Sequence, residues 1–146
     1  MTDPRSPVNT DRLAADLLHK RGRGLAAGDP LAAPIVPASN FHLPVTTQAP
    51  YQYARFHNPT WDAVEGALGH VEQAETIVFP SGMAACAAVL YAALKAGDRL
   101  LLPSDGYYTV RALANRFLAP LGVAIDTCPT VEMATLDLTP YRMVWL

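Results

Sequence analysis

Cysteine and lysine are both scarce in this sequence. The 146 residues include two cysteines, Cys86 and Cys128, too few and too far apart for a disulfide framework or a zinc site. We therefore interpret both as packed side chains and expect no bound metal. The only lysines are Lys20 and Lys95, beside nine arginines. Any mechanism that needs a lysine has just these two candidates.

The sequence also lacks an excess of charge of one sign and a long apolar run. Its net charge of -2 gives no basic field to attract nucleic acid or anionic lipid. No apolar run approaches the roughly 18 residues of a membrane span, and the polar start matches neither a signal peptide nor a transit peptide. We therefore expect a cytoplasmic protein that binds neither nucleic acid nor membranes.

Proline, by contrast, is abundant and unevenly placed. Seven of the thirteen prolines fall in the first fifty residues and favour extended or turn geometry there. The exception is the segment 10–20, where leucines repeat at helical spacing. The stretch 22–51 is too long for an ordinary connection inside a compact domain. We expect residues 1–57 to form a short helix and an extended arm that lies on another surface, such as a second subunit.

From residue 58 onward, helix and strand patterns alternate. Asn58 as N-cap and Pro59 as first helical residue predict a helix of about 13 residues with one apolar stripe. The stripe consists of Trp61, Val64, Leu68 and Val71. Strands are predicted at 76–79, 99–102, 123–127 and 143–146, and further helices at 83–96, ended by Gly97, and at 107–118. This alternation predicts an α/β fold with a mostly parallel sheet and flanking helices.

The segment Phe79-Pro80-Ser81-Gly82-Met83 combines an apolar run, a tight turn and a helix start. Free amides at a helix N-terminus and the positive end of its dipole can bind a phosphate, and Gly82 lets the group approach closely. The alternative is an ordinary turn with Ser81 as N-cap. Because the sequence lacks both G-x-x-x-x-G-K-[ST] and G-x-G-x-x-G, nucleotide and dinucleotide binding are not indicated.

Two aromatic segments are further candidates. Tyr53 and Arg55 are two residues apart in a predicted extended segment, so their side chains can offer a phenol and a guanidinium to one phosphate. Tyr107 follows the strand 99–102 at the carboxyl end of the sheet, where its ring can stack on a flat cofactor. In both cases a surface or packing role remains open. We interpret His57 as a residue of the helix cap region.

These segments occur in a recognisable order. The chain contains Tyr53-Ala54-Arg55, Asn58-Pro59-Thr60, Val78 to Ala85, Lys95 to Asp98 and Asp105-Gly106-Tyr107. Together they resemble the pyridoxal-phosphate enzymes of cysteine and methionine metabolism, which include cystathionine gamma-synthase, gamma-lyase and beta-lyase and methionine gamma-lyase. The resemblance covers residues 34–146 and only the N-terminal part of such an enzyme. It implies a fold-type-I enzyme, a homodimer or homotetramer that acts on a sulfur-containing amino acid.

The resemblance also implies roles for single residues. Tyr53 and Arg55 bind the phosphate of pyridoxal 5'-phosphate held by the neighbouring subunit. Ser81, Gly82 and Met83 bind the phosphate of their own subunit through the helix start. Tyr107 stacks on the pyridine ring and helps in proton handling. The chain departs from the usual Tyr-Gly-Gly-Thr of the family, since it has Tyr107-Tyr108-Thr109.

The family's Schiff-base lysine, the aspartate at the pyridine nitrogen and the arginine for the substrate carboxylate all lie further along than these 146 residues. Neither Lys20 nor Lys95 matches the catalytic position. We expect 58–146 to be the first part of the cofactor-binding domain, truncated within a strand, and the chain alone to be inactive. One alternative is an inactive module that binds phosphate or a full-length partner; another is an unrelated open α/β protein that binds a different anion at Ser81-Gly82.

Overall fold

The computed structural model describes residues 10–20, 24–43, 45 and 49–146. The chain divides into two compact units, Met1–Val78 and Phe79–Leu146, which we call the first unit and the second unit. The predicted division at residue 57 separates an intersubunit arm from a domain, and it stays a prediction. No helix in the described ranges is both long and apolar enough to cross a membrane.

The regular part of the first unit is a pair of helices, α1 Thr10–Lys20 and α2 Pro59–Glu72. The bounds of α1 are those that its leucine spacing predicts. Between the helices, the described residues form one isolated antiparallel bridge, Asn40 with Tyr53. Parts of the predicted arm, residues 21–23, 44 and 46–48, lie outside the described residues.

Local capping determines where α2 begins, as the sequence predicts. Asn58 is the N-cap, and its Oδ1 accepts a hydrogen bond from the amide of Thr60 at 2.8 Å, with Pro59 in the first turn. No residue of α2 is buried. The predicted apolar stripe is between 40% and 46% exposed, for Trp61, Val64, Leu68 and Val71. The stripe therefore exists as a helix face but is only half covered.

A parallel sheet with flanking helices forms the second unit and confirms the predicted α/β fold. The strands are β1 Arg99–Pro103, β2 Ala124–Cys128 and β3 Met143–Val144; the helices are α3 Gly82–Ala93, α4 Tyr108–Leu113 and α5 Thr130–Met133. The strands lie in the order β2-β1-β3, and β1 pairs in parallel with both neighbours. Because β1 is central, its positions 100–103 are all buried.

One apolar core joins the sheet to α3 and α4. Its buried members are Leu90, Leu94, Leu100, Leu102, Val110, Ala114, Leu118 and Val123. Cys86 is partly buried against this core, and both cysteines are free thiols. Burial raises the pKa of the Cys128 thiol. The interpretation of Cys86 as a packed side chain is confirmed.

The predicted strand at 76–79 is wrong. These residues pair with no other described strand, and the amide of Val78 donates instead to Glu65 Oε1 at 2.9 Å. Ile77 and Phe79 are 73% and 41% exposed. The boundary between the two units falls between Val78 and Phe79, so this apolar run connects the units and is not a buried strand.

The end predicted for α3 is also wrong. The helix ends at Ala93, and its C-cap Leu94 turns to extended backbone (φ -113°, ψ 142°) because the leucine side chain is buried in the core. Gly97 does not cap the helix. It has a φ of 90° in the turn before β1, where its amide donates to Gly122 O at 2.9 Å. Lys95 lies in the same turn, so it does not close the helix.

The helix predicted at 107–118 is interrupted. It begins at Tyr108 and changes at Ala114 to a π-helical turn, which keeps Ala114 and Leu118 in the core at 0% and 1% exposure. The strand predicted at 143–146 is shorter than expected. The amide of Trp145 still donates to Leu101 O at 3.0 Å, but the ladder ends at Val144 and Leu146 is exposed.

Candidate functional site

The N-terminus of α3 has unpaired donors. Ser81 is the N-cap, with extended backbone, and its Oγ accepts from the amide of Ala84 at 3.1 Å. The amide of Ala85 donates to Ser81 O at 3.1 Å. Within the described part of the chain, the amides of Gly82 and Met83 have no acceptor. They remain available to an anion at the positive end of the helix dipole.

Space and charge at this helix start fit a phosphate group. Apart from the neighbouring backbone, no heavy atom of the described residues lies within 4 Å of the position that a Cβ on Gly82 would take. The first turn of α3 carries no acidic residue. Ser81 and Gly82 are exposed, whereas Met83 packs partly against the core and anchors the turn. A phosphate can therefore reach the backbone here without steric or electrostatic conflict.

Tyr53 and Arg55 contact each other in the first unit. Arg55 Nη2 donates to Tyr53 Oη at 3.1 Å, and the guanidinium carbon lies 5.1 Å from the ring centroid. The predicted extended backbone is wrong, however, because residues 54–56 form a turn in which the amide of Phe56 donates to Tyr53 O at 2.9 Å. The turn still brings a phenol and an exposed guanidinium together.

Tyr107 lies where β1 ends and α4 begins, at the carboxyl edge of the sheet. Its side chain is 65% exposed, and its ring centroid is 5.6 Å from that of Tyr108. A cavity of about 130 Å³ borders it, lined in part by Leu102, Val110 and Trp145. Open α/β folds bind ligands at this edge, so the position suits a ring that stacks on a flat ligand.

Arg111 holds the turn that carries Tyr107. Its Nη1 donates to Pro103 O at 2.9 Å and to Gly106 O at 2.7 Å. A Cβ on Gly106 would lie 2.5 Å from Pro103 Cγ, so the turn is also tightly packed. Sequence reasoning missed Arg111. The available signal was its place in the first turn of the helix that follows Tyr107, where it can reach back to the preceding carbonyls.

Asp105 connects the same turn to the next one. Its Oδ1 accepts from the amide and from the hydroxyl of Thr130, at 3.0 Å and 2.8 Å. These two hydrogen bonds lower the pKa of the Asp105 carboxyl, the side-chain bond most strongly. The loop after β1 is thereby fixed to the start of α5, after β2. The sequence did not identify Asp105 and Thr130 as a pair, since they are 25 positions apart.

The two lysines have structural surroundings. Lys20 Nζ donates to Gly66 O at 2.5 Å, which ties α1 to α2. Lys95 is exposed, and its amide donates to Asp98 Oδ2 at 2.9 Å. His57 Nδ1 is 3.9 Å from Asp62 Oδ1 at the start of α2, as expected of a cap-region histidine. Among the described residues, neither lysine adjoins the candidate phosphate or ring contacts of its own unit, whereas the amide of His57 donates to Tyr53 O at 3.3 Å.

Comparison with known proteins shows which family and which folds this chain is similar to. A family model described as Cys/Met metabolism PLP-dependent enzyme matches residues 17–140. A Streptomyces coelicolor protein described as a cystathionine gamma-lyase is 42% identical over 115 residues, which are 75% of this chain. The crystal structure of metB from Corynebacterium glutamicum superposes with a TM-score of 0.77 at 26% identity over 92% of this chain. That of cystathionine gamma-synthase from Xanthomonas oryzae pv. oryzae, in complex with cystathionine, gives 0.71 at 31% identity over 84%.

The match covers most of this chain but a minor part of each relative. The chain spans about 29% of the length of the Streptomyces protein, 36% of the Corynebacterium chain and 32% of the Xanthomonas chain. Both structural relatives have the predicted fold, and all three comparisons agree on one family. The chain belongs to the family of pyridoxal-phosphate-dependent enzymes of cysteine and methionine metabolism.

Proposed function

We propose that this chain contributes the phosphate and ring contacts of a pyridoxal 5'-phosphate site in transsulfuration, where a carbon–sulfur lyase or transferase acts on a sulfur-containing amino acid such as cystathionine. The observation that carries the proposal is the start of α3, where Ser81 is the N-cap and the amides of Gly82 and Met83 have no acceptor among the described residues. Its support is that a chain of this family has an anion-ready helix start at the predicted position.

Each group has a distinct role in this proposal. When bound, pyridoxal phosphate withdraws electrons from the α-carbon of an amino acid and weakens its C–H bond. The amides of Gly82 and Met83 hold the phosphate of their own subunit. Arg55 contributes a second, charge-assisted set of donors, and Tyr53 adds a hydroxyl beside it. The planar guanidinium can offer two parallel N–H donors to the phosphate oxygens.

Tyr107 is the proposed ring contact. Its exposed aromatic face can stack on a pyridine ring and exclude water from one side of it. Its phenol can hold a proton near the reacting carbon and return it. Arg111 and Asp105 fix the turn on both sides of Tyr107, so the ring keeps its place at the edge of the sheet.

We place Arg55 and Tyr53 toward the neighbouring subunit, within an arm formed by residues 1–57, in a homodimer or homotetramer. A cytoplasmic location is part of the same proposal. The second candidate function is an inactive module that binds phosphate or pairs with a full-length subunit. It is favoured by the lysines, since Lys20 is bonded to α2 and Lys95 lies in a turn before β1.

The first test uses the phosphate as the variable. Equilibrium dialysis of the chain with pyridoxal 5'-phosphate and with pyridoxal, which lacks the phosphate, is expected to show tighter binding of the phosphorylated form. Arg55→Ala removes one charge-assisted contact and should weaken that binding by about 10- to 100-fold, from roughly 1.5 to 3 kcal/mol. Pyridoxal binding should change little.

A matched control is Arg116→Ala. Arg116 is also an exposed arginine beside an aromatic ring, with its guanidinium carbon 5.4 Å from the centroid of Phe117. This variant should bind pyridoxal phosphate as the parent does. Equal affinity of the parent for both compounds, or an equal loss in Arg116→Ala and Arg55→Ala, contradicts the proposed phosphate site.

The second test concerns the lysines. After incubation with pyridoxal phosphate and reduction with borohydride, mass spectrometry should find no adduct concentrated on one lysine, because neither Lys20 nor Lys95 adjoins a candidate contact in its own unit. Pyridoxal without phosphate serves as the control for random labelling. Selective labelling of either lysine by the phosphorylated compound alone would show that this chain carries its own attachment point.

A further inference from the structure

Asn58 makes more hydrogen bonds than a helix cap requires. It is the one buried polar residue among the described residues, at 5% exposure. Its Oδ1 caps α2 by accepting from the amide of Thr60. Its Nδ2 donates to Val36 O at 3.0 Å and to Ala38 O at 3.4 Å. A cap uses only the acceptor, and the two donations bind a segment that lies far away in the sequence.

Thr60 binds the same segment from the other side of Pro59. The hydroxyl Oγ1 of Thr60 accepts from the amide of Val36 at 2.9 Å. The motif Asn58-Pro59-Thr60 therefore satisfies both the amide and the carbonyl of Val36, while its backbone begins α2. This double attachment fixes residues 36–38 on the helix start.

The attached segment continues into a short antiparallel contact with residues 52–54. The amide of Ala54 donates to Ser39 O at 2.9 Å, and the amide of Phe41 donates to Gln52 O at 3.3 Å. These bonds place Tyr53 opposite Asn40. Hydrogen bonds thus connect the side-chain amide of Asn58, through residues 36–41, to the backbone of Gln52 and Ala54 on either side of Tyr53.

A second attachment joins α2 directly to the segment that contains Tyr53. Tyr51 Oη donates to Asp62 Oδ2 at 2.9 Å, and the Tyr51 ring packs against Phe41 with centroids 5.5 Å apart. The segment 51–54 is therefore attached at both ends. Tyr51 bonds to Asp62 in the first turn of α2, and Ala54 bonds to the segment that Asn58 and Thr60 hold. Arg55 itself is exposed, and its recorded side-chain bond is to Tyr53.

We propose that Asn58 is a positioning residue, which through residues 36–41 sets the place of Tyr53 and Arg55 for binding the cofactor phosphate. The inference rests on the proposed function of Arg55 and extends it to a residue that does not touch the phosphate. It also accounts for asparagine at this position. Serine, aspartate and asparagine all cap helices well, but only asparagine combines the cap acceptor with two donors for backbone carbonyls.

The variant Asn58→Asp separates the two tasks, because the carboxylate keeps the cap and has no donor for Val36 O and Ala38 O. Amide hydrogen exchange of the full chain should rise roughly tenfold at Ala54 and Phe41 and stay unchanged within α2. The preference for pyridoxal phosphate over pyridoxal should fall several-fold. Thr60→Val, which removes the acceptor for the Val36 amide at nearly constant shape, should cause the same changes on a smaller scale.

Asn115→Asp is the matched control, since the exposed Asn115 also donates through Nδ2 to a backbone carbonyl, that of Arg111, at 2.9 Å. It should leave the Ala54 and Phe41 amides unchanged. Unaltered exchange at these amides in Asn58→Asp overturns the inference, and so does increased exchange with an unaltered phosphate preference while Arg55→Ala loses that preference. If Arg55→Ala itself keeps the preference, the proposed function fails, whatever the exchange shows.

Discussion

Each of the two units of this chain is stabilised internally by a different kind of interaction. In the first unit, no residue of α2 is buried, and side-chain hydrogen bonds from Asn58, Thr60 and Tyr51 connect its helix start to the rest. In the second unit, β1 is buried along positions 100–103 and the core joins strand and helices. The first unit therefore depends on a few directional contacts, and the second on apolar burial.

The comparison shows what an apolar pattern does and does not specify. The periodic stripe of α2 and the continuous apolar run of β1 both lie where the sequence predicts them, but only β1 is buried, between strands β2 and β3 and against the helices. Periodicity identifies the face that can be buried. What covers that face depends on other parts of the chain or on other chains.

The largest expected effect is a difference in stability between the two units. Leu102→Ala removes a side chain that is 0% exposed in the second unit and should lower the free energy of unfolding by about 2 to 5 kcal/mol. Val64→Ala, at 46% exposure in α2, should cost less than about 1 kcal/mol. Urea denaturation followed by circular dichroism measures both.

The informative outcome is the ratio of the two effects. A loss for Val64→Ala as large as that for Leu102→Ala would mean that the α2 face is covered in solution, for example by a second copy of the chain. Dependence of that loss on protein concentration would then identify association as the cause.

Local signals were sufficient to predict the start of α2 and, to within one residue, the start of α3. Asn58 before Pro59, and Ser81 before Gly82, are recognisable as caps because a cap involves only residues a few positions apart. The strand predicted at 99–102 was recognisable for a similar reason, since its run of three leucines is typical of a buried parallel strand. The strand predicted at 123–127 is found one residue further on, at Ala124–Cys128, and is only partly buried. The candidate site was found because its parts lie at these starts and ends.

Contacts between distant residues were not predictable in this way. The run 76–79 has the composition of a strand, but Val78 is bonded to Glu65 and finds no partner strand among the described residues. The end of α3 depends on the burial of Leu94, which a helix pattern does not encode. Tyr53 and Arg55 were expected on one side of an extended segment, whereas their contact forms in a turn that a pattern of two-residue spacing does not distinguish from extended backbone.

A smaller effect is expected from two glycines. Gly106→Ala places a Cβ about 2.5 Å from Pro103 Cγ in the second unit and should cost roughly 1 to 3 kcal/mol, because the tight turn must shift. Gly24→Ala in the first unit meets no atom of the described residues within 4 Å and should change stability by less than about 1 kcal/mol. Thermal unfolding of both variants compares them. Equal losses would mean that the Pro103 ring moves freely, and that the turn before Tyr107 is less rigid than its bonds to Arg111 indicate.

The two units also differ in the pH range in which their hydrogen bonds contribute. In the second unit, hydrogen bonds from Thr130 lower the pKa of Asp105, so its contribution is present above the unfolded value of about 3.9 and is lost as the pH falls through the folded pKa. In the first unit, the hydrogen bond to Asp62, then burial and the Asp62 charge, raise the pKa of Tyr51. Its contribution is present below about 10 and is lost as the pH rises through the folded pKa.

The smallest expected effects are therefore selective changes in pH dependence. Asp105→Asn should be less stable than the parent at neutral pH, and the difference should disappear in acid, because the parent carboxyl is then protonated and its advantage is gone. Tyr51→Phe should likewise be less stable at neutral pH and equal to the parent in strong alkali. Denaturation curves that extend past the lowered pKa of Asp105 in acid and the raised pKa of Tyr51 in alkali measure both, with Asn115→Ala as a control that affects neither contact and adds no ionisable group. If each variant shows the same deficit at every pH, the two hydrogen bonds act through shape and not through ionisation, and the contrast between an acid-sensitive second unit and an alkali-sensitive first unit does not hold.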